Sequence, residues 1–404
     1  YYVFIGLPNA TSVASDWNTA TPSPIDNFDE HDNIYDSLIS AKKITSTDVL
    51  RVIKKISWTT GTIYEMYRPD YSIDKLSPQT NSSSLYKSNF YVMNSDFRVY
   101  ECIYNGAAPS NSGAGVISLE EPVHTDLQPR LESDGYIWKY LYTIKPSDII
   151  KFDSAEFIPV PADWTSNSDV ADVRNAAVDG KIETIVIEDV ANATYQFSGT
   201  KNAVPIRGDG SDGLASVTFI DGKPSAVQVT NGGSGYSFGT LDLDDVVTGS
   251  GASFSVIVPP PGGHGADIYR ELGANKVLVY SRIENSDITN PDFPTGNQFA
   301  RIGIIENPQQ FGSENLLTAS SASGVYGVRL TGAATTSMSV AVDGQITQTV
   351  GVGSTAVGQI IGYDPVTKSL QYWQDRSLAT NDDSGNKPTF GYKLNRFTAS
   401  PASG

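Results

Sequence analysis

Residues 136–144 read Tyr136-Ile137-Trp138-Lys139-Tyr140-Leu141-Tyr142-Thr143-Ile144, with Tyr136, Trp138, Tyr140, Tyr142 and Ile144 alternating against Ile137, Lys139, Leu141 and Thr143. Alternation of period two specifies a β-strand, because successive side chains of a strand point to opposite faces. One face is almost wholly aromatic. Tyrosines on one strand face pack on a second sheet or across a subunit contact, so Tyr136, Trp138, Tyr140 and Tyr142 are the candidate packing or interface residues. The turn pair Asp134-Gly135 precedes the strand and Pro146 stops it, leaving Ser147 to Phe152 for a single helical turn.

The composition around this strand points the same way. The chain has 404 residues, enough for two to four domains and a sizeable core. Its 36 Gly, 22 Pro and 21 Tyr suit many short strands joined by turns. Hydrophobic residues at 39% with only 18% charged exclude a disordered or coiled-coil chain. The expected class is mainly β: multi-domain, β-sandwich-like sheets with long loops and a few short helices. A formal charge of −17 repels a phosphate backbone, so no nucleic-acid partner is expected. No apolar run reaches the roughly 20 residues of a membrane span, so no membrane insertion is expected either. The chain opens at Tyr1 without an initiator Met or a signal-peptide pattern, consistent with a missing native N-terminal stretch.

Outward from residues 136–144, Tyr1 to Gly6 is a short β-type run, followed by a Ser/Thr/Asn/Pro-rich loop to about Asp32. Asn33 is placed to cap a helix with Ile34, Tyr35, Leu38 and Ile39 on one side and Lys42 and Lys43 near its end. Val49 to Trp58 is β-branched, and Pro69 limits the tyrosine-bearing stretch Gly61 to Tyr71 to an edge or loop. Phe157 to Pro161 and Trp164 close a first region. Composition then shifts: a short helix near Asp169 to Val178 ends at Gly180, and strands at Ile182 to Ile187, Ser216 to Ile220, Ala226 to Thr230 and Phe254 to Val258 are separated by glycine-rich turns. Pro259 to Gly263 reads as a stiff linker. Lys276 to Ile283, Phe299 to Ile305, Ser337 to Val342 and Gln345 to Val350 resume strand patterning, with no fixed-period repeat.

No set of residues has the spacing that catalysis requires, and no catalytic residue, cofactor or metal site is expected. The single Cys102 sits in the apolar run Val99 to Tyr104 and reads as a buried small residue rather than a nucleophile. His31, His124 and His264 are too few and too scattered for a zinc motif. Gly232 to Gly239 lacks the Gly-Lys-Ser/Thr ending of a phosphate loop and reads as a hairpin turn. Arg207-Gly208-Asp209 matches an adhesion tripeptide that any acidic glycine-rich loop produces by chance. Asp209 with Asp212, or Asp242 with Asp244 and Asp245, offers oxygen ligands to calcium but lacks the full EF-hand spacing. With 45 acidic residues, accidental carboxylate pairs are guaranteed, and sequence singles out none as a glycosidase pair.

The segments YYVFIG, IYDSLISAKKITSTDVLRVIKKISW, DGYIWKYLYTIKPSDIIKF, EFIPVPADW and FARIGIIENP, in that order, resemble the baseplate wedge protein of T-even-type contractile-tailed bacteriophages, the gene 8 product, in the form carried by cyanobacterial myophages. The resemblance covers residues 1–165 and about 272–310. It implies a non-enzymatic, mostly β protein of the virion tail baseplate, assembled in the host bacterial cytoplasm. It also implies a homodimer whose neighbours are the wedge products of genes 6, 7 and 10. The connection between Trp164 and Ala274 is much longer here than in the T-even form. The expected organisation is therefore 1–169 as N-terminal wedge scaffold, 170–262 as an inserted mainly-β domain, and 263–404 as a C-terminal β region completing the scaffold. The alternative is a glycan-binding, adhesin-type tail protein that uses the aromatic ladder and glycine-rich loops to contact the host surface.

Overall fold

The computed structural model describes residues 1–6, 38–69, 87–166, 170–243, 246–282, 301–308, 314–316, 326–331, 340–351, 354–365 and 368–373. The fold is mainly β, and every pairing between strands is antiparallel among the described residues. In chain order the strands are β1 (Tyr2–Gly6), β2 (Leu38–Lys43), β3 (Val49–Lys54), β4 (Tyr91–Met93), β5 (Arg98–Tyr104), β6 (Arg130–Leu131), β7 (Ile137–Thr143), β8 (Phe157–Pro159), β9 (Thr184–Asp189) and β10 (Gly199–Gly208). They continue with β11 (Ser211–Ile220), β12 (Lys223–Ser234), β13 (Gly239–Leu241), β14 (Ser253–Ile257), β15 (Lys276–Val279), β16 (Arg301–Ile305), β17 (Tyr326–Arg329), β18 (Gln345–Gly351), β19 (Ser354–Asp364) and β20 (Ser369–Trp373). Among the described residues the α-helices are short: α1 (Pro146–Phe152), α2 (Ala171–Ala176) and α3 (Ile268–Glu271).

The chain divides into two compact units, one of residues 1–48 with 281–404 and one of residues 49–280. In the first, β1 lies between β16 and β2, with Tyr2 opposite Ile305 on one side and Lys43 on the other. A second sheet has the order β17-β20-β19-β18. The helix expected from Asn33 to Lys43 is corrected here: Leu38–Lys43 is a strand, while Ile34 and Tyr35 lie outside the described residues. An isolated helix of three turns is marginal in water, whereas β1 offers this segment a complete row of backbone partners. Ser337 to Ser339 likewise lie outside the described residues.

In the second unit, β3 is flanked by β15 and β8, and β5 and β7 form the centre of the sheet β4-β5-β7-β6. Between them lies an aromatic core that includes Tyr64, Tyr67, Phe90, Tyr100, Trp138, Tyr142 and Trp164. Two bulges interrupt the β5–β7 ladder, one where Val99 and Tyr100 pair with Tyr142 and Tyr140, the other where Cys102 and Tyr104 pair with Trp138 and Ile137. Leu141 and Ile103 are the extra residues, and a bulge of this kind upsets strict alternation. That is why Leu141 is buried together with Tyr142, and Tyr140 is only half-buried.

Tyrosine hydroxyls tie loops to this sheet. Tyr136 donates to the Val116 carbonyl (2.7 Å) and accepts from the Tyr64 amide (3.0 Å). Tyr100 donates to His124 O (2.6 Å), and Tyr91 to Lys54 O (3.0 Å). Asp134, in the turn before β7, accepts from the amides of Leu119, Glu120 and Tyr136. Partial burial alone would raise its carboxyl, but those amides outweigh it and hold the pKa below the usual value.

A second core, including Ile185, Val204, Ile206, Val217, Phe219 and Tyr236, fills the region under β12-β11-β10-β13. The two-stranded ribbon β9–β14 is a wall common to both cores, since Ile185 faces the second while Val186 and Ile257 belong to the first. Strands here run longer than sequence patterning indicates, β12 extending through Gly232 and Gly233. The divisions expected at 169/170 and 262/263 do not coincide with the boundaries of the compact units at 48/49 and 280/281. Stretch 170–262 holds a core of its own and also lends Val170, Val173, Val186 and Ile257 to the aromatic one. Pro259 to Gly263, expected as a free linker, is packed: Pro259 and Gly263 are buried, and the Gly262 amide donates to Asp179.

Two outcomes follow. Asp189 and Ser253 are paired neighbours, so replacing 190–252 by a short Gly/Ser turn should leave a folded remainder, whereas removing 170–262 strips four side chains from the first core and should abolish cooperative melting. Equal melting of both deletions by calorimetry would contradict this. Asp134→Asn should cost about 1–3 kcal/mol at neutral pH. A carboxyl whose folded pKa is depressed stabilises above its unfolded value and loses that contribution as pH falls through the folded one, so in urea titrations the gap between wild type and variant should begin to close near about pH 4 and vanish only below the depressed folded pKa.

Candidate functional site

On the β5–β7 ladder Glu101 stands opposite Lys139, so both project from the same side of the sheet, next to a row of Cys102, Trp138 and Tyr100 on the other. Both are buried, as are Glu271 and His264, which come from far along the chain. His264 lies between Gly263 and Gly265, whose φ angles are +90° and +86°, and a Cβ on Gly263 would sit 2.3 Å from Val178 O. Only glycine fits that close approach. The turn delivers the imidazole beside the Tyr67 ring, edge to face at 4.7 Å. Three residues further on, Asp267 caps α3 by accepting from the Tyr269 and Arg270 amides, and α3 ends on Glu271.

These elements bring together a buried carboxylate–imidazole–carboxylate group. His264 Nδ1 is 2.7 Å from Glu271 Oε1 and 2.9 Å from Glu101 Oε2, and the Gly265 amide donates to Glu271 Oε2 at 2.8 Å. Glu101 Oε2 meets the imidazole as an ion-pair contact, with neither Glu101 oxygen in good hydrogen-bond geometry. Burial and the charge of Glu271 push the Glu101 carboxyl well above the carboxylate range. Burial would also raise Glu271, but its bond to His264 overrides that and lowers it. For His264 burial alone would lower the value; the two carboxylates raise it to about 10. At neutral pH the group is therefore a protonated Glu101, an imidazolium and one carboxylate, with no net charge. It is the one grouping of three such side chains able to hold a metal ion among the described residues.

Beside it, Lys139 Nζ donates to Leu127 O (3.3 Å) and lies 3.5 Å from Glu183 Oε1, which is also 3.6 Å from Lys181 Nζ. Of the four residues singled out by sequence, Tyr136, Trp138 and Tyr142 belong to the aromatic core, and Tyr140 packs against its edge. Tyr136 and Trp138 stack at 5.4 Å and 9°, and Tyr140 meets Tyr100 edge to face at 5.8 Å. Tyr142 donates to Pro159 O. Cys102 is buried and its thiol is pushed well above its usual value by desolvation. Asp209 is tied to the loop between β12 and β13 by the Ser237 and Phe238 amides, while Asp244, Asp245 and His31 lie outside the described residues. His124 is packed on the Tyr100 ring and burial lowers its pKa.

Sequence reasoning passed over Glu101, His264 and Glu271. A signal was present, because Glu101 is a charged residue inside the apolar run Val99 to Tyr104, and a buried carboxylate requires a partner. No family model and no curated protein matches this chain. Among the described residues no helix is long and apolar enough to cross a membrane.

The two carboxylates should respond differently to neutralisation. In metal-free protein at pH 7, Glu101→Gln replaces a neutral group by an isostere and should shift stability by less than about 1 kcal/mol. Glu271→Gln leaves an imidazolium buried without its counter-charge and should cost about 3–5 kcal/mol. Urea unfolding of both variants checks the contrast, and equal losses would contradict the assigned charges.

Proposed function

We propose that this chain is a structural, non-enzymatic component of a contractile phage tail baseplate wedge, holding neighbouring wedge proteins together. The observation that supports the reading is that segments carrying the family resemblance, far apart in sequence, are hydrogen-bonded to one another. YYVFIG pairs with both the LISAKK and the RIGII segments, and the strand in VLRVIK pairs with that in EFIP. Chance matches scattered along a chain have no reason to be neighbours in its sheets.

A second observation favours contact with protein partners over sugar. Tyr136, Trp138 and Tyr142 are at most 1% exposed, so the aromatic ladder offers no platform to a glycan. The stretch 117–131 instead exposes Ile117, Leu119, Val123, Leu127 and Leu131, an apolar density that suits a protein interface. In this reading the chain pairs with a second copy, joins the wedge products of genes 6, 7 and 10, and resides in the virion baseplate.

The test is assembly. Sedimentation of the full chain should show reversible self-association and a further shift on adding the three wedge products. Leu119→Lys with Leu131→Lys should leave melting unchanged and weaken one of those shifts by about tenfold or more. A chain that stays monomeric at every concentration, with or without those products, contradicts the proposal.

A further inference from the structure

The imidazole between two carboxylates goes beyond the assembly reading and stands independently of it. We propose that Glu101, His264 and Glu271 form an intramolecular binding site for one divalent first-row transition-metal ion, a structural site that clamps β5 to the Gly263–Gly265 turn and α3.

The first argument is the donor set. Two carboxylates and one neutral imidazole balance a dication, and nitrogen with oxygen ligands suits the middle of the first transition row. The second is spacing. Donors about 2.1 Å from an octahedral ion sit about 3.0 Å apart when adjacent, and about 3.4 Å apart around a tetrahedral one. His264 Nδ1 is 2.7 and 2.9 Å from its two carboxylate oxygens, nearer the octahedral value. The third is the state of Glu101, fully buried on a central strand with Oε2 2.9 Å from His264 Nδ1 and neither oxygen in a hydrogen bond. A buried carboxyl whose oxygens make no hydrogen bond is costly, and a cation bound at Oε2 in place of the proton offsets that cost. Glu271 by contrast already has one oxygen fixed by the Gly265 amide, the kind of outer contact that orients a ligating carboxylate. The ligands also come from rigid elements: a doubly flanked strand, a turn bounded by two glycines and a capped helical turn.

Because the site is enclosed, the ion enters as the chain folds. The full chain is therefore expressed with added Mn²⁺, dialysed, and its metal content measured; a second sample, stripped with chelator in denaturant, is refolded with Mn²⁺, Zn²⁺, Co²⁺ or no metal. One equivalent of metal per chain is expected, with a melting midpoint above that of the metal-free sample. Co²⁺ should give the weak visible absorption of a six-coordinate ion. Glu101→Gln, which retains the metal-free fold, should lower metal affinity by more than about tenfold, whereas Asp209→Asn on the surface should not. Folded protein that retains no metal from either route overturns the proposal, as does binding undiminished in Glu101→Gln. Intense tetrahedral Co²⁺ bands would overturn the coordination assigned here.

Discussion

The central pair β5–β7 is buried on both faces, and that single constraint governs much of the second unit. A strand exposed on one side can leave its polar groups to water; this pair must find partners for its polar groups from within. The tyrosines solve part of the problem by donating to backbone carbonyls of surrounding segments: Pro159 is fixed by Tyr142, which the bulge at Leu141 sets opposite Val99, while on the aromatic side Val116 and His124 are fixed by Tyr136 and Tyr100. The net gain per hydrogen bond is only about 0.5–1.5 kcal/mol, but leaving one unmade costs more, so the loops have little choice of position. The high tyrosine content is thus explained by packing area combined with a polar tip that reaches the rim of the core.

The opposite side of the same ladder carries Glu101 and Lys139, and a later stretch of chain supplies their counter-groups. Glu183 precedes β9; His264 and Glu271 follow β14. The ribbon that joins the two cores therefore lies between the segments that answer the buried charges. Buried ion pairs rarely add net stability, since desolvation consumes most of the Coulomb gain. Their effect is on register. An apolar face accepts a covering turn at several offsets, whereas a carboxylate that must meet an imidazole within 3 Å accepts one.

Local patterning exposed some of this and concealed the rest. The strand at 137–143 and the turn at Asp134-Gly135 were legible because they depend on side-chain alternation and on one residue's backbone freedom. The helices at 146–152 and 171–176 were legible for a similar reason. Leu38–Lys43 was misread as helical because its pairing partner, β1, lies more than thirty residues earlier and outside any local window. The bulge at Leu141 left no mark in an alternation that looked perfect in sequence. The Glu101 group was hidden by distance: its members are separated by 163 and 7 positions, and no spacing rule joins a mid-strand glutamate to a histidine beyond an intervening sheet.

That separation has a consequence for the order of folding. Contacts between 101 and 264–271 close a loop of about 160 residues, and closure entropy of this size is repaid only when much of the intervening chain is already compact. The hairpins of β10, β11 and β12 close through short turns and need no help from the aromatic core. Folding of these hairpins ahead of the aromatic core would shorten the effective loop by bringing Asp189 next to Ser253. Once that ribbon exists, Val186 and Ile257 present an apolar edge to the first core while Ile185 stays with the second. The Gly263-His264-Gly265 turn is then within a few residues of its target. On this order the glycine-punctuated sheet would make a distant buried charge pairing kinetically reachable, and the long connection between Trp164 and Ala274 is compatible with a core that depends on residues from both of its ends.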